Sequence, residues 1–255
     1  MIEHEVPISP ALLEKVLSCV TPNAVLVGGQ ALAVWVSHYG VDLTASPLVG
    51  AISDDADFLG TRDDVTAIGQ SVSATPVYPS QHETTALVGQ VKIQVTPTEY
   101  VNIDVIHNVV GIAAATVRKR ASEAVFGATH FFVMHPLDVL LSRVENLAQL
   151  AVKQNAEGVE QTRLAILVAH EYIVEIAKES DNFRHALKAV ERVVDIAKSS
   201  AGRKASQDFG ISFFPAIPKY AIKNKLFHAV RWPLLCSELD AAAGRKDSGQ
   251  PITSK

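Results

Sequence analysis

Asp55 and Asp57 stand two residues apart in Ser53-Asp-Asp-Ala-Asp-Phe58, and Asp104 interrupts the apolar run Tyr100-Val-Asn-Ile-Asp-Val-Ile106. On a β-strand, residues i and i+2 face the same way. Asp55 and Asp57 then lie side by side, with Ala56 turned towards the core. Two carboxylates at 4 Å repel each other by about 1 kcal/mol in water, and by more where water is scarce. A divalent cation removes that cost, and ligand sets made only of carboxylate oxygen select Mg²⁺ or Mn²⁺ over zinc. Asp104 shares a strand face with Asn102 and Ile106, and a lone buried carboxylate there would be costly. The cost disappears if its strand neighbours Asp55–Leu59, making Asp104 the third member of a metal cluster. Three carboxylates can hold two ions about 4 Å apart. One ion would arrive with a triphosphate, and the other would lower the pKa of an attacking hydroxyl, with Asp104 as ligand or base. In-line attack on the α-phosphorus would release pyrophosphate. Taken singly, Asp54, Asp55 and Asp57 also read as a solvated acidic loop, and Asp104 as an exposed edge-strand residue. Order and spacing together favour the metal site.

Gly28-Gly29 follows the apolar strand Ala24–Val27 and precedes a helix expected from Gln30 to His38. Glycines at such a turn admit a ligand close to the backbone. The N–H groups and dipole of the helix start favour phosphate, and Gln30 offers a side-chain amide. Further phosphate ligands are sought at Lys92, at Arg118-Lys119-Arg120 and at Arg143. The triplet also reads as a solvated loop, and Asp138 as either a helix-orienting or a plain surface acid. His107, His170 and His185 have no ligand or triad spacing and read as structural or surface residues.

The elements that must position these groups begin with a helix after the N-cap Ser9 and Pro10. A second helix opens at Thr61, with Asp64 at its third position. Thr84–Val88 and Gln90–Val95, around Gly89, read as a tight hairpin or a bulge, followed by the strand Glu99–Ile106. Residues 24–107 therefore form a mixed α/β unit. His130–Met134 reads as a last strand. Helices are expected at 136–150, 157–178, 182–199 and 219–229, with a loop at Ser199–Ser206. The predicted organisation is α+β, with a catalytic domain at 1–134, a helical domain at 135–243 and a disordered tail at 244–255.

Apolar residues make up 48% of the 255 and charged residues 20%, proportions usual for a globular protein. No apolar run reaches membrane-spanning length, and the acidic start Met1-Ile-Glu-His-Glu is unlike a signal peptide. Cys19 and Cys236 lack metal-type spacing and read as reduced thiols of a cytoplasmic protein. The net charge of −4 hides a split. Residues 1–150 carry 7 Lys and Arg against 15 Asp and Glu, whereas 151–255 carry 16 against 12. An acidic half joined to a basic half suits metal chemistry on a polyanion, although ordinary solvated lysines explain the basic half as well.

The order Val27-Gly28-Gly29, then Asp55-Ala56-Asp57, then Asp104 resembles the signature of the DNA polymerase β-type nucleotidyltransferase superfamily. Within it, VLVGGQALAVW and SDDADFLG look most like bacterial proteins grouped with abortive-infection type II toxins. The resemblance covers residues 20–110. It implies a minimal nucleotidyltransferase fold, a mixed sheet with helices on one side, followed by a helical domain. It also implies two Mg²⁺ ions, a nucleoside triphosphate such as ATP, and transfer of the nucleoside monophosphate to a hydroxyl of RNA, protein or a small molecule. In the toxin branch the acceptor is often tRNA and the partner is an antitoxin protein. Two departures stand out. Gln30 replaces a serine that many members use on phosphate, and Arg143 stands where toxin relatives carry a lysine. A catalytically silent nucleotide-binding protein of the same fold is the alternative. A haloacid-type phosphatase ranks last, because here a Gly-Gly strand precedes the acid-x-acid and Phe58-Leu59-Gly60 follows it.

Overall fold

The computed structural model describes residues 3–44, 52–80, 82–178 and 183–245. The fold is α+β, and the chain divides into two compact units, Met1–Ser142 and Arg143–Lys255. The division falls inside the helix Pro136–Gln149, whereas the sequence suggested a boundary just before that helix.

The first unit is built on one mixed sheet. Its strands are β1 (His4–Glu5), β2 (Val25–Val27), β3 (Ala56–Leu59), β4 (Pro76–Val77), β5 (Leu87–Thr96), β6 (Glu99–Ile106), β7 (Ser122–Phe126) and β8 (Thr129–Val133). They run in the order β4-β5-β6-β3-β2-β8-β7, with β1 also paired to β6. β2 and β3 occupy the middle, and all three β2 residues are buried, as expected of an apolar run covered on both faces. β3 runs antiparallel to β2 and parallel to β6. β1 pairs parallel with β6 at Glu99 and Tyr100, just before the stretch that β3 takes.

The helices of this unit are α1 (Pro10–Leu17), α2 (Gly28–Tyr39), α3 (Arg62–Val72), α4 (Ala114–Arg120) and the first half of α5 (Pro136–Gln149). Ser9 caps α1 by accepting from Leu12 N, and Pro10 fills its first turn, where the missing N–H costs nothing. α3 begins with a capping box of Thr61 and Asp64. The Asp64 carboxylate, fully buried, accepts from Thr21 N at 2.8 Å, Thr61 N at 2.8 Å and Thr61 Oγ1 at 3.0 Å. It therefore ties the α3 start to the turn before β2.

Several expectations are corrected. Of the two readings around Gly89 the bulge holds and the hairpin does not: the stretch is one strand with a bulge between Leu87 and Gly89. Gly89 lies so close to Tyr78 and Val65 that a β-carbon would meet both at 2.9 Å. β7 escaped the sequence reading and forms a hairpin with β8 through Gly127 at φ 59°. Arg118-Lys119-Arg120 is the end of α4, not a loop. Asp138 is fully buried, with Arg120 Nη1 at 3.2 Å from its Oδ1, so it is no surface acid.

The second unit is helical, with α6 (Ala156–Lys178), α7 (Phe183–Lys198), α8 (Ser200–Phe209) and α9 (Trp232–Ala242). α7 packs on α6, α8 and α9 through Ala186, Val190, Val193, Val194 and Ala197, all buried. Ser199–Ser206, expected as a loop, is instead the cap and first turns of α8, with Ser199 Oγ accepting from Gly202 N at 3.0 Å. The expected helix 219–229 is also revised. Lys219–Ala221 is a short 3₁₀ turn, and helix starts only at Lys225. Phe227–Arg231 is a π turn in which Trp232 N donates to Phe227 O, five residues back. Pro233 explains it: proline has no N–H, and its ring clashes with the carbonyl four residues earlier, so the turn before it widens. Asn182 and residues 246–255 of the expected tail lie outside the described residues.

Candidate metal centre

The sheet register assembles the acids. Asp57 is paired with Asp104 across β3 and β6, and with Val27 across β2 and β3. Partners in register share a face of the sheet. Asp57 and Asp104 therefore stand together, opposite the face that buries Phe58 and Val105. Asp55 joins them from the turn before β3. One carboxylate oxygen from each of Asp55, Asp57 and Asp104 lies within 4.8 Å of the others. All three residues are half-buried. The triad offers only hard carboxylate oxygen, the donor chemistry that suits Mg²⁺, Mn²⁺ or Ca²⁺.

Each carboxylate is held by a neighbour. Ser53 Oγ donates to Asp55 Oδ1 at 2.7 Å. Gln90 Nε2 donates to Asp104 Oδ1 at 2.8 Å, from the position directly opposite on β5. Gly28, at φ 68°, leaves the space that Asp57 fills, for a β-carbon there would lie 2.0 Å from Asp57 Oδ2. A β-carbon on Gly29 would lie 2.3 Å from Ser53 Cβ. The Gly-Gly pair is thus packed directly against the acidic turn and strand. α2 starts at Gly28, two residues earlier than expected, and has no side-chain cap. Its first-turn N–H groups are therefore left to other partners, which suits an anion.

A fourth carboxylate, Glu5, escaped the sequence reading. β1 pairs Glu5 with Tyr100, which puts it on the face of β6 that carries Asn102 and Asp104. Burial, then the charge of Asp55, pushes the Glu5 carboxyl above its usual range, against the lowering effect of Asn102. Burial likewise raises Asp104, partly offset by the Gln90 hydrogen bond, with Asp55 adding to the rise. Both shifts come from negative charge gathered where water is scarce. A two-residue strand has no periodicity, so nothing in the sequence marked Glu5. Gln90 was legible as a polar position on the face shared with Lys92, but its partner was not.

The other expected ligands are placed differently. Gln30 is buried and its Nε2 donates to Ser53 O at 2.8 Å, so its amide braces the loop that carries Asp55 and is not a free phosphate contact. Lys92 is opposite Asn102 on the acidic face. Its ammonium is engaged by Glu3 and lies 3.9 Å above the Tyr100 ring. Arg143 belongs to the second unit, is only 7% exposed and donates from Nη1 to Gln161 Oε1 at 3.0 Å. That is a packing role within that unit. His107 is exposed, with Nε2 3.0 Å from Thr85 O.

A separate cavity of about 600 Å³ opens between α1, α2 and the β7–β8 hairpin, lined by Leu13, Ala33, Trp35, Val125 and Phe131 among others. Phe131 faces away from the acids, since its neighbour Phe132 is in register with Val25 on their side. Among the described residues, no helix is long and apolar enough to cross a membrane. No known protein family matches the chain, and no curated protein is significantly similar to it.

Proposed function

We propose that the chain is an Mg²⁺-dependent nucleotidyltransferase of the DNA polymerase β type. It would transfer a nucleoside monophosphate from a triphosphate to a hydroxyl and release pyrophosphate. The observation that carries this reading is the convergence of Asp55, Asp57 and Asp104 against the Gly28 turn. Asp55, Asp57 and Asp104 would hold the cation. When bound, it would neutralise phosphate charge and acidify the attacking hydroxyl. Val27, the N-cap of α2, makes no side-chain capping bond; a triphosphate bound at this helix start would meet backbone N–H groups, and a dipole aimed at an anion stabilises it without reorganisation. Burial raises the proton affinity of Asp104, which fits a group that accepts or shares the proton of the attacking hydroxyl. Ser53, Gln90 and Gly28 keep the three carboxylates from spreading apart.

The acceptor classes follow from the resemblance: RNA first, then protein or a small molecule, with an antitoxin as partner if the toxin branch applies. The test is transfer of label from α-labelled triphosphates to total RNA and to the protein itself, with Mg²⁺ and with EDTA. Mg²⁺-dependent labelling that disappears in Asp55→Ala and Asp57→Ala is expected. Nucleotide binding without turnover under all four triphosphates would make the chain a silent relative. Release of phosphate from simple monoesters, with no label transferred, would replace the reading with a hydrolase.

A further inference from the structure

The outward face of the last helix is apolar where a solvated helix face is ordinarily polar. α9 continues without a break from Lys225 through the π turn. Phe227, Leu235, Leu239 and Ala242 are its buried side. On the other side Leu226, Val230 and Leu234 follow one another at four-residue steps, 73, 55 and 54% exposed. Ala229, Pro233 and Ala241 beside them are also exposed. Single exposed apolar residues need no explanation, but a continuous stripe of them marks a contact surface.

Charge identifies what covers it. Lys223 and Lys225 stand at the N-terminal end of this helix, and Glu238 and Asp240 near its C-terminal end. These signs oppose the helix's own dipole, which favours anions at the start and cations at the end. A second copy running antiparallel reverses the conflict. About a two-fold axis between Val230 and Pro233, Ala229 meets Leu234, Leu226 meets Ser237, Lys225 meets Glu238 and Lys223 meets Asp240. Every pairing is reciprocal, as an isologous interface requires. We propose that two copies of this chain associate through the Leu226–Leu234 stripe, antiparallel, as a two-fold dimer. Glu238 is already bonded to Arg231 and Lys198, so Lys223–Asp240 is the more informative cross-pair. Asp240 keeps Arg245 at 3.6 Å in the single chain. The stripe from Leu226 to Ser237 is about 17 Å long. A contact of one helix on one helix is small beside the standard interface of ~800 Å² per partner, so association is weak and concentration-dependent.

Sedimentation of the full chain over roughly 1–300 µM, the range a small interface calls for, tests this. The mass should rise from 27.4 kDa towards twice that value. Val230→Glu should remain at 27.4 kDa throughout with an unchanged circular dichroism spectrum and unfolding midpoint, since Val230 lies outside the core. Lys223→Glu and Asp240→Lys should each weaken association, and the double exchange should restore it. A wild-type monomer at every concentration overturns the proposal, whatever else binds the stripe. So does a Val230→Glu protein that associates like the wild type, or a double exchange that fails to recover.

Discussion

Asp57 occupies the space that a side chain on Gly28 would need: a β-carbon there would stand 2.0 Å from Asp57 Oδ2. Gly28 also sits at φ 68°, which costs an L-residue roughly 1 kcal/mol. Gly28→Ala must therefore displace the Asp57 carboxylate. Displaced support of a ligand typically weakens metal binding by about 10–100-fold. Calorimetric titration with Mn²⁺ should show a loss in that range for Gly28→Ala, with the fold retained. Unchanged Mn²⁺ affinity would separate Asp57 from the cation.

The cluster makes the metal-free protein less stable as its carboxyls ionise. Glu5 and Asp104 have carboxyls raised above their ordinary values of 4.5 and 3.8. The folded chain therefore binds more protons than the unfolded chain between the ordinary and the raised values. Stability must fall as pH rises through that window, beginning near pH 4, and stay reduced above it. Denaturant unfolding in EDTA from acid to neutral pH should show this decline. Mg²⁺ should remove it, because the cation favours the ionised carboxylates. Glu5→Gln should flatten the decline in EDTA. A flat profile for the wild type would show that neither burial nor the neighbouring charges raise these carboxyls.

Asp64 ties the start of α3 to the turn before β2. It accepts three hydrogen bonds while fully buried. Asp64→Ala leaves Thr21 N and Thr61 N without this acceptor, at a cost of about 3 kcal/mol. Chemical denaturation should register that loss. A loss below ~1 kcal/mol would mean that water or another group replaces the carboxylate.

Arg120 and Asp138 pose a similar question at the start of α5. Removing one member of a fully buried pair costs about 3–5 kcal/mol. Arg120→Ala should cost less than that but still be destabilising, because Asp138 is wholly buried while Arg120 is 26% exposed. Arg120→Met with Asp138→Leu should recover much of it. Equal instability of the single and double variants would refute a simple desolvation account.

Where local chemistry was decisive, the sequence was readable. Ser9-Pro10 and Thr61…Asp64 marked helix starts that the structure has, and the alternation in Tyr100–Ile106 put Asp104 on the face opposite Val105. The misses share one cause, which is information held elsewhere in the chain. β1 and β4 are two residues long and exist only because β6 and β5 pair with them. Gln30 and Lys92 had the right chemistry for phosphate, but Ser53 and Glu3 engage them. Neither partner is adjacent in sequence. In Ser199–Ser206, small polar residues suggested a loop, yet Ala201 and Ala205 are buried and Ser199 caps the helix. Tertiary contact overrode weak propensity there.

The in-register pairing of Asp57 with Asp104 binds chemistry to folding as a two-valued property. Strand side chains alternate, so a shift of β6 by one residue would turn Asp104 into the apolar interior and bring Ile103 or Val105 out beside Asp57. No intermediate arrangement exists in which the core is intact and the acids are merely a little apart. Insertions or deletions in Glu99–Ile106 should therefore abolish structure and cation binding together, whereas conservative changes at Ser53 or Gln90 should tune the site by degrees.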